Sequence, residues 1–445
     1  MWPFSQDVYS LEDIYGIGEV PPEDCPTYIE RKAHKSFVYT VQHEKQHIVV
    51  YGASRQGKSW LIEKYCPNFI RVGCDAKFTR ESLFKAMLHE LNIKVGSLQR
   101  GKNSEKNNEL QINGAIQLQL PLFAKSDLKA GGKAAIKKAE NESFTYVNID
   151  LENQSEVITA ISEVIGDKFI VLENFHYLEP SVQKTFASSL KEFLYYPIRV
   201  VIVGVWKETT KLVSLASDLT NRVEPIDIGD WTKDELLEIV SNGDKALNTY
   251  TDSAIIEKFI EHSGRNVGIF KSLMKNYCKL HGVYQSQKKK TILSDHSLAD
   301  EALEKSYQEV VVPALDRLHK LARSKKSGGK GLRYYIVKSL LEIMTESDID
   351  KLVDGILVNH VIQKVQSNKE VKFQQQNIKQ ELLILHTREE TVASEGTAST
   401  NFIPLFYFDQ GKDRVFIVES ALLAACRSGK VDLSNVLGPK TIYVK

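Results

Sequence analysis

The chain has 445 residues, enough for two or three domains that each bury a core. Apolar residues make up 42% and charged residues 26%, the ordinary proportions of a soluble globular protein. Lys plus Arg (58) nearly balances Asp plus Glu (57), which excludes a global field that draws the molecule onto a polyanion; any such partner must be held by a local patch.

Residues 1–45 read as a mixed N-terminal segment, with a turn at Pro21-Pro22 and an amphipathic stretch from Tyr28 to Val41. A core region over 46–230 opens with Ile48-Val49-Val50-Tyr51, too short for a buried helix and closed by a glycine, hence a buried strand. A helix is predicted over Ser59 to Tyr65, a strand over Asn68 to Val72 and a helix over Arg80 to Leu91. From about 101 to 143 the composition shifts to Lys, Asn, Gln, Gly and Ala, the mark of a polar insertion. Strand, helix, strand, helix, strand, strand then follow at Thr145 to Ile149, Ser155 to Ile165, Phe169 to Leu172, Val182 to Phe193, Arg199 to Val205 and Val223 to Ile228. Strands alternating with helices predict a parallel sheet covered on both faces.

Beyond Trp231 the pattern turns helical, at Lys233 to Val240, Asp252 to His262 and Gly268 to Leu280, giving a small helical unit over 231–283. Residues 284–330 read as a linker carrying Lys288-Lys289-Lys290, then a long helix from Leu298 to Arg323 interrupted near Pro313. In 331–445, helices are predicted at Arg333 to Met344, Ser347 to Val358 and Gln375 to His386. Strand-like runs at Phe402 to Phe408 and Val415 to Val418 flank a turn, and a helix over Glu419 to Arg427 closes the pattern. Three helices followed by a hairpin is the order of a winged helix.

The strongest chemical signal is Gly52-Ala53-Ser54-Arg55-Gln56-Gly57-Lys58-Ser59, a G-x-x-x-x-G-K-S match between a strand and a helix, with Trp60 next. Its glycines let consecutive backbone N–H groups curl toward one anion, and the following helix adds its positive end. The pattern assigns ATP phosphates to the loop, Lys58 to the β- and γ-phosphates and the Ser59 hydroxyl to Mg²⁺. The metal-side carboxylate should end another parallel strand, and Glu173 is the first polar residue after Phe169 to Leu172. Asn174 stands where a second carboxylate often orients or deprotonates the attacking water; an amide can hold water but cannot take its proton. His176 could aim at the same water. Lys207, past the fifth strand, could sit by the γ-phosphate; Arg222 could supply charge to its own phosphates or a neighbour's, and Arg265 could report nucleotide state to the helical unit.

The cysteines (Cys25, Cys66, Cys74, Cys278, Cys426) are scattered, with no C-x-x-C pair, which argues against a zinc site or disulfides. Without an apolar run of about 18 residues or a signal pattern, the chain reads as cytoplasmic, with no membrane partner.

Taken in order, these residues resemble the AAA+ and STAND superfamily of P-loop ATPases, in particular replication initiators of archaea and eukaryotes and bacterial STAND proteins. The resemblance spans about Tyr28 to Arg427. It implies an α/β P-loop parallel-sheet ATPase core with a helical lid and a C-terminal winged-helix domain. Gly52 to Ser59 look like Walker A, Ile170 to Glu173 like Walker B, Lys207 like sensor 1, Arg222 like an arginine finger and Arg265 like sensor 2. Pro26 to Arg31 is similar to the segment that packs on adenine. Two departures stand out: Asn174 puts rapid hydrolysis in doubt, and no proline follows Gly264 in the lid motif. The resemblance implies a slow ATPase working as a nucleotide-gated switch, as a homo-oligomer or with a separate effector, in a setting such as bacterial antiviral defence. The alternative is a DNA-binding ATPase of initiator or transposition-helper type. That reading rests on Gln375, Gln376, Asn377, Lys379 and Gln380, and on the basic run Arg317, Lys320, Arg323, Lys325, Lys326, Lys330 and Arg333.

Overall fold

The computed structural model describes residues 8–18, 20–75, 77–95, 138–139, 142–147, 149–204, 219, 221–229, 231–323, 331–348, 351–352, 354–368, 372–385, 405–409, 411–427 and 437. The body of the expected 101–143 insertion, Lys207, Lys325, Lys326 and Lys330 lie outside these residues.

Five parallel strands form the central sheet, in the spatial order Phe69–Gly73, Phe169–Glu173, Val200–Val203, His47–Tyr51, Val223–Asp227. Their side chains alternate between two cores, as a period of two requires. Val49, Val72, Ile170, Leu172, Val200 and Ile202 pack on one side with the helices Arg80–Glu90, Gln154–Ile165 and Pro180–Tyr195. Ile48, Val50, Phe169, Val171, Val201 and Val203 face the other side, under the helices Lys32–His43 and Lys58–Tyr65. Pro225 lies in the last strand, at the sheet edge, where a missing backbone donor breaks no ladder on its open side.

The predicted strand at Thr145 to Ile149 is displaced. It runs from Glu142 to Val147 and joins a separate small sheet with Ile93–Val95 and Lys138–Ala139, so the region expected to be polar insertion already contains paired strands.

The N-terminal segment is not a simple lead-in. The helix Leu11–Tyr15 buries Leu11, Ile14 and Tyr15 against the lid helices Lys233–Leu247 and Val267–Leu280. A short parallel pair, Thr249–Thr251 with Thr291–Leu293, occupies part of the expected linker; Asp244 fastens it by accepting from both Thr249 and Thr251 hydroxyls. The long helix is present as His296–Ser306 and Val312–Ala322, joined by the π-helical turn Tyr307–Val311 just before Pro313.

In the C-terminal region the helix predicted from Ser347 to Val358 does not run through. Gly355 takes a left-handed φ of 82°, Ile356–Leu357 pairs antiparallel with Arg414–Val415, and a new helix starts at Val358. The order is helix Leu332–Glu346, strand Ile356–Leu357, helices Val358–Gln366 and Gln375–Leu383, strands Phe406–Asp409 and Arg414–Ile417, and helix Ser420–Arg427. One continuous apolar core runs from the N-terminal helix through the lid and the long helix into this region. Among the described residues no helix is long and apolar enough to cross a membrane, and the five cysteines are buried and form no disulfide.

Candidate functional site

The loop 52–59 stands at the C-terminal end of His47–Tyr51, with Gly57 at φ 94° leading into the helix Lys58–Tyr65. Only glycine takes that conformation without strain. The five carbonyls from Gly52 to Gln56 are all engaged away from the anion position. Lys58 Nζ donates to Gly52 O at 2.9 Å and Ala53 O at 2.6 Å. Three lid donors take the next three: Asn266 Nδ2 to Ser54 O (2.8 Å), Gly268 N to Arg55 O (3.1 Å) and Trp231 Nε1 to Gln56 O (3.3 Å). Gly268 permits this approach, because a Cβ there would lie 2.7 Å from Arg55 Cβ.

A cavity of about 870 Å³ opens over the loop. Ser54 to Trp60 line it, with Glu173 and Asn174 opposite, Tyr28, Ile29 and His34 from the N-terminal segment, Trp231 and Lys271 from the lid, and Glu309 from the π-helical turn. Gly52 and Ala53 sit behind the lining and hold Lys58. Desolvation lowers the Lys58 pKa to about 8, against the opposing pull of the Glu173 charge.

At one end, Glu173 terminates its strand with its side chain 14% exposed, and Arg71 Nε stands 3.8 Å from Glu173 Oε1. The same guanidinium lies 2.6 Å from Glu63. Asn174 adopts a left-handed φ of 57°, a conformation Asn tolerates better than most residues, and starts the turn Phe175–Tyr177. His176 also lines the cavity. Ser59 and Glu173 offer the hard oxygen donors that suit Mg²⁺ alongside phosphate oxygens.

At the other end, Tyr28 lies parallel to Trp60 (14°, centroids 6.2 Å apart) and stacks on His34 at 5.4 Å. Burial lowers the His34 pKa to about 4, so its ring stays neutral at physiological pH, with Nδ1 accepting from Arg31 N at 3.1 Å. Arg31 ties this wall to the lid, through Glu235 at 2.9 Å and the face of Trp231, and to the core through the Ile228 carbonyl at 2.7 Å.

Two residues expected at the phosphates stand elsewhere. Arg222 lies at the N-terminal end of its strand, beside His47, whose N–H donates to the Arg222 carbonyl; that is the sheet edge opposite the loop, and Arg222 does not line the cavity. Arg265 takes φ 58° in the turn before the lid helix and does not line the cavity either. The lid residues that reach in are Trp231 and, in the helix that follows Arg265, Val267, Gly268, Lys271 and Ser272. Sequence reasoning missed Arg71, Asp75 and Lys271. Each left a signal: a charge within an apolar strand, an acid just past a strand end, and a lysine on the buried face of a helix.

The parallel sheet, the loop at the C-terminal end of an inner strand and the helix behind it make this an α/β P-loop core. Among solved structures the chain is similar to a Walker-type ATPase of Pyrococcus abyssi, paby2304 (12% identity, 90% of this chain and 96% of that chain, TM-score 0.49). It is also similar to the Aeropyrum pernix ORC1 protein in complex with DNA (8%, 95% and 96%, 0.40), and to the STAND protein PH0952 with a tetratricopeptide repeat sensor from Pyrococcus horikoshii (12%, 85% and 48%, 0.32). No family model matches the sequence, and no curated protein matches it.

Proposed function

We propose that the chain binds ATP with Mg²⁺ and acts as a slowly hydrolysing, nucleotide-gated switch that controls its own assembly or a separate effector. One observation carries this reading: three consecutive carbonyls of the phosphate loop are hydrogen-bonded to the lid. A loop that rearranges around phosphates must therefore move the lid. The lid shares its core with the C-terminal region, and Asn266 also donates to the Ser420 hydroxyl at 2.9 Å. A second route runs from the carboxylate side, where buried Tyr177 lies in the field of the Arg317–Glu419 ion pair.

The base packs against Tyr28, Ile29 and Trp60, the triphosphate lies along the loop N–H groups, and Lys58 leaves its two carbonyls to meet the phosphates. Mg²⁺ held by Ser59 and Glu173 would neutralise charge on the phosphate oxygens. Asn174 holds a water without accepting its proton, so turnover is slow. Lys207 as a γ-phosphate contact, and Arg222 acting on a neighbouring subunit, belong to this reading, since Arg222 does not line its own cavity. The core 46–230, the lid 231–283, the helix region 284–330 and a winged helix in 331–445 are its working units.

The second reading is DNA binding. It draws on the exposed residues Gln375, Gln376 and Asn377 at the start of the helix Gln375–Leu383, the third of this region. Against it, Arg317 and Arg333 of the basic run are used in ion pairs with Glu419 and Glu381, and Lys379 pairs with Asp413.

Light scattering of wild type and Lys58→Ala, with and without ATP and then with duplex DNA, separates the readings. ATP-dependent size change lost in Lys58→Ala supports the switch. DNA binding that weakens steeply with salt, and is independent of ATP, would replace it with the second reading.

A further inference from the structure

Lys271 lies on the buried face of the lid helix, among Val267, Phe270 and Met274, and is 5% exposed. Its Nζ faces the nucleotide cavity 4.5 Å over the Trp60 ring, with no hydrogen-bond acceptor in reach among the described residues. The nearest acid on the neighbouring N-terminal helix, Glu12, pairs with Lys275 instead. Burial lowers the Lys271 pKa to about 8, and the only charged form opposing this is that of Cys25. A buried ammonium that faces an aromatic ring and has no acceptor among the described residues is costly until an anion completes it.

The surroundings fix which part of a nucleotide it meets. Glu173, Asn174 and Arg71 mark the metal and terminal-phosphate end, where the Glu173 charge is felt by Lys58. Lys271 stands instead over Trp60, the first residue past Ser59, whose indole N–H donates to Gly18 O at 2.6 Å. That is the N-terminal-segment side, with Tyr28 and His34. We propose that Lys271 holds the portion common to ATP and ADP, the ribose and α-phosphate, so that the lid registers occupancy rather than the γ-phosphate. This rests on the nucleotide-binding reading above. It divides the labour: the lid closes on either nucleotide, and the γ-phosphate is read on the Glu173 side.

The test is calorimetric titration of the full chain with MgATP and MgADP, using wild type, Lys58→Ala, Lys271→Met and Lys271→Arg. Lys271→Met should weaken both nucleotides by the same factor, about tenfold or more, and Lys271→Arg should recover most of it. Weakening of ATP alone overturns the inference, and so does unchanged binding of both. Wild type that binds neither nucleotide brings down the nucleotide reading itself. Wild type that binds, beside a Lys58→Ala that does not and an unaffected Lys271→Met, sinks only this inference. If Lys271→Met fails to fold, Lys271→Gln is titrated in its place and judged by the same outcomes.

Discussion

The side-chain amide of Asn266 donates to the carbonyl of Ser54 across 2.8 Å, joining the first residue of the lid helix cap to the phosphate loop. The same nitrogen reaches Ser420 Oγ, and Asn266 Oδ1 accepts from Ile269 N at 3.0 Å. The residue is fully buried, so each bond lost strands a partner away from water. Asn266→Ala should cost about 3 kcal/mol, from the lost cap and the unsatisfied Ser54 and Ser420 groups. Urea unfolding is the check; a midpoint within error of wild type refutes the assignment.

Lys271 gives the nucleotide-free protein a pH signature. Its folded pKa is about 8, below the ordinary 10.5 of the unfolded chain. Between these values the unfolded state holds more protons, so folding stability rises with pH through this window, most clearly from 8 to about 9.5, before tyrosines titrate. ATP affinity should move the other way, because a phosphate favours the charged ammonium. Lys58, with its pKa also near 8, adds a slope of the same sign, so thermal unfolding of Lys271→Met should keep the Lys58 share and lose about half of the rise seen in wild type, while titrations with ATP should lose the Lys271 share of the pH dependence.

Asn174 sits in a left-handed conformation that Asp accepts with less strain than Glu. Asn174→Asp should therefore raise ATP turnover by about tenfold or more, by supplying a base beside Glu173. Phosphate release assays with unchanged rates would show that the missing base is not what limits hydrolysis.

Arg222 lies on the sheet edge away from the cavity. Arg222→Ala should leave ATP affinity unchanged in dilute protein and lower turnover only at concentrations where subunits associate. A turnover loss independent of concentration would place its action within one subunit.

The sheet was legible because its strands are buried on both faces: runs such as Ile48 to Tyr51 and Phe169 to Leu172 leave no polar position to misread. The phosphate loop was legible because glycine, lysine and serine spacing is set by the anion. What sequence reading could not reach was contact made at long range. Trp231, Asn266 and Gly268 look ordinary in the chain, and only the fold brings them to consecutive carbonyls of the loop. Position just before a helix points to Arg265, and the rotation of that helix, which brings Lys271 to the cavity, is not visible in position alone. A lysine in the apolar phase of Val267–Leu280 was the available clue.

The π-helical turn at Tyr307–Val311 makes chain length a structural variable. Val312 N–H returns to the Tyr307 carbonyl, five residues back, so the helix carries one residue more than an α-helical turn needs. On one side of this turn the Tyr307 hydroxyl donates to the Ala424 carbonyl at 2.8 Å; on the other, Glu309 and Val310 border the cavity. The wide turn absorbs that residue, so the helix beyond it keeps nearly the phase of an unbroken α-helix. Losing one residue here would restore regular winding with little rotation downstream, whereas losing one from either flanking α-helix would turn everything beyond it by roughly 100°. The turn is thus the one place in this long helix where chain length can change and leave the C-terminal region seated on the core.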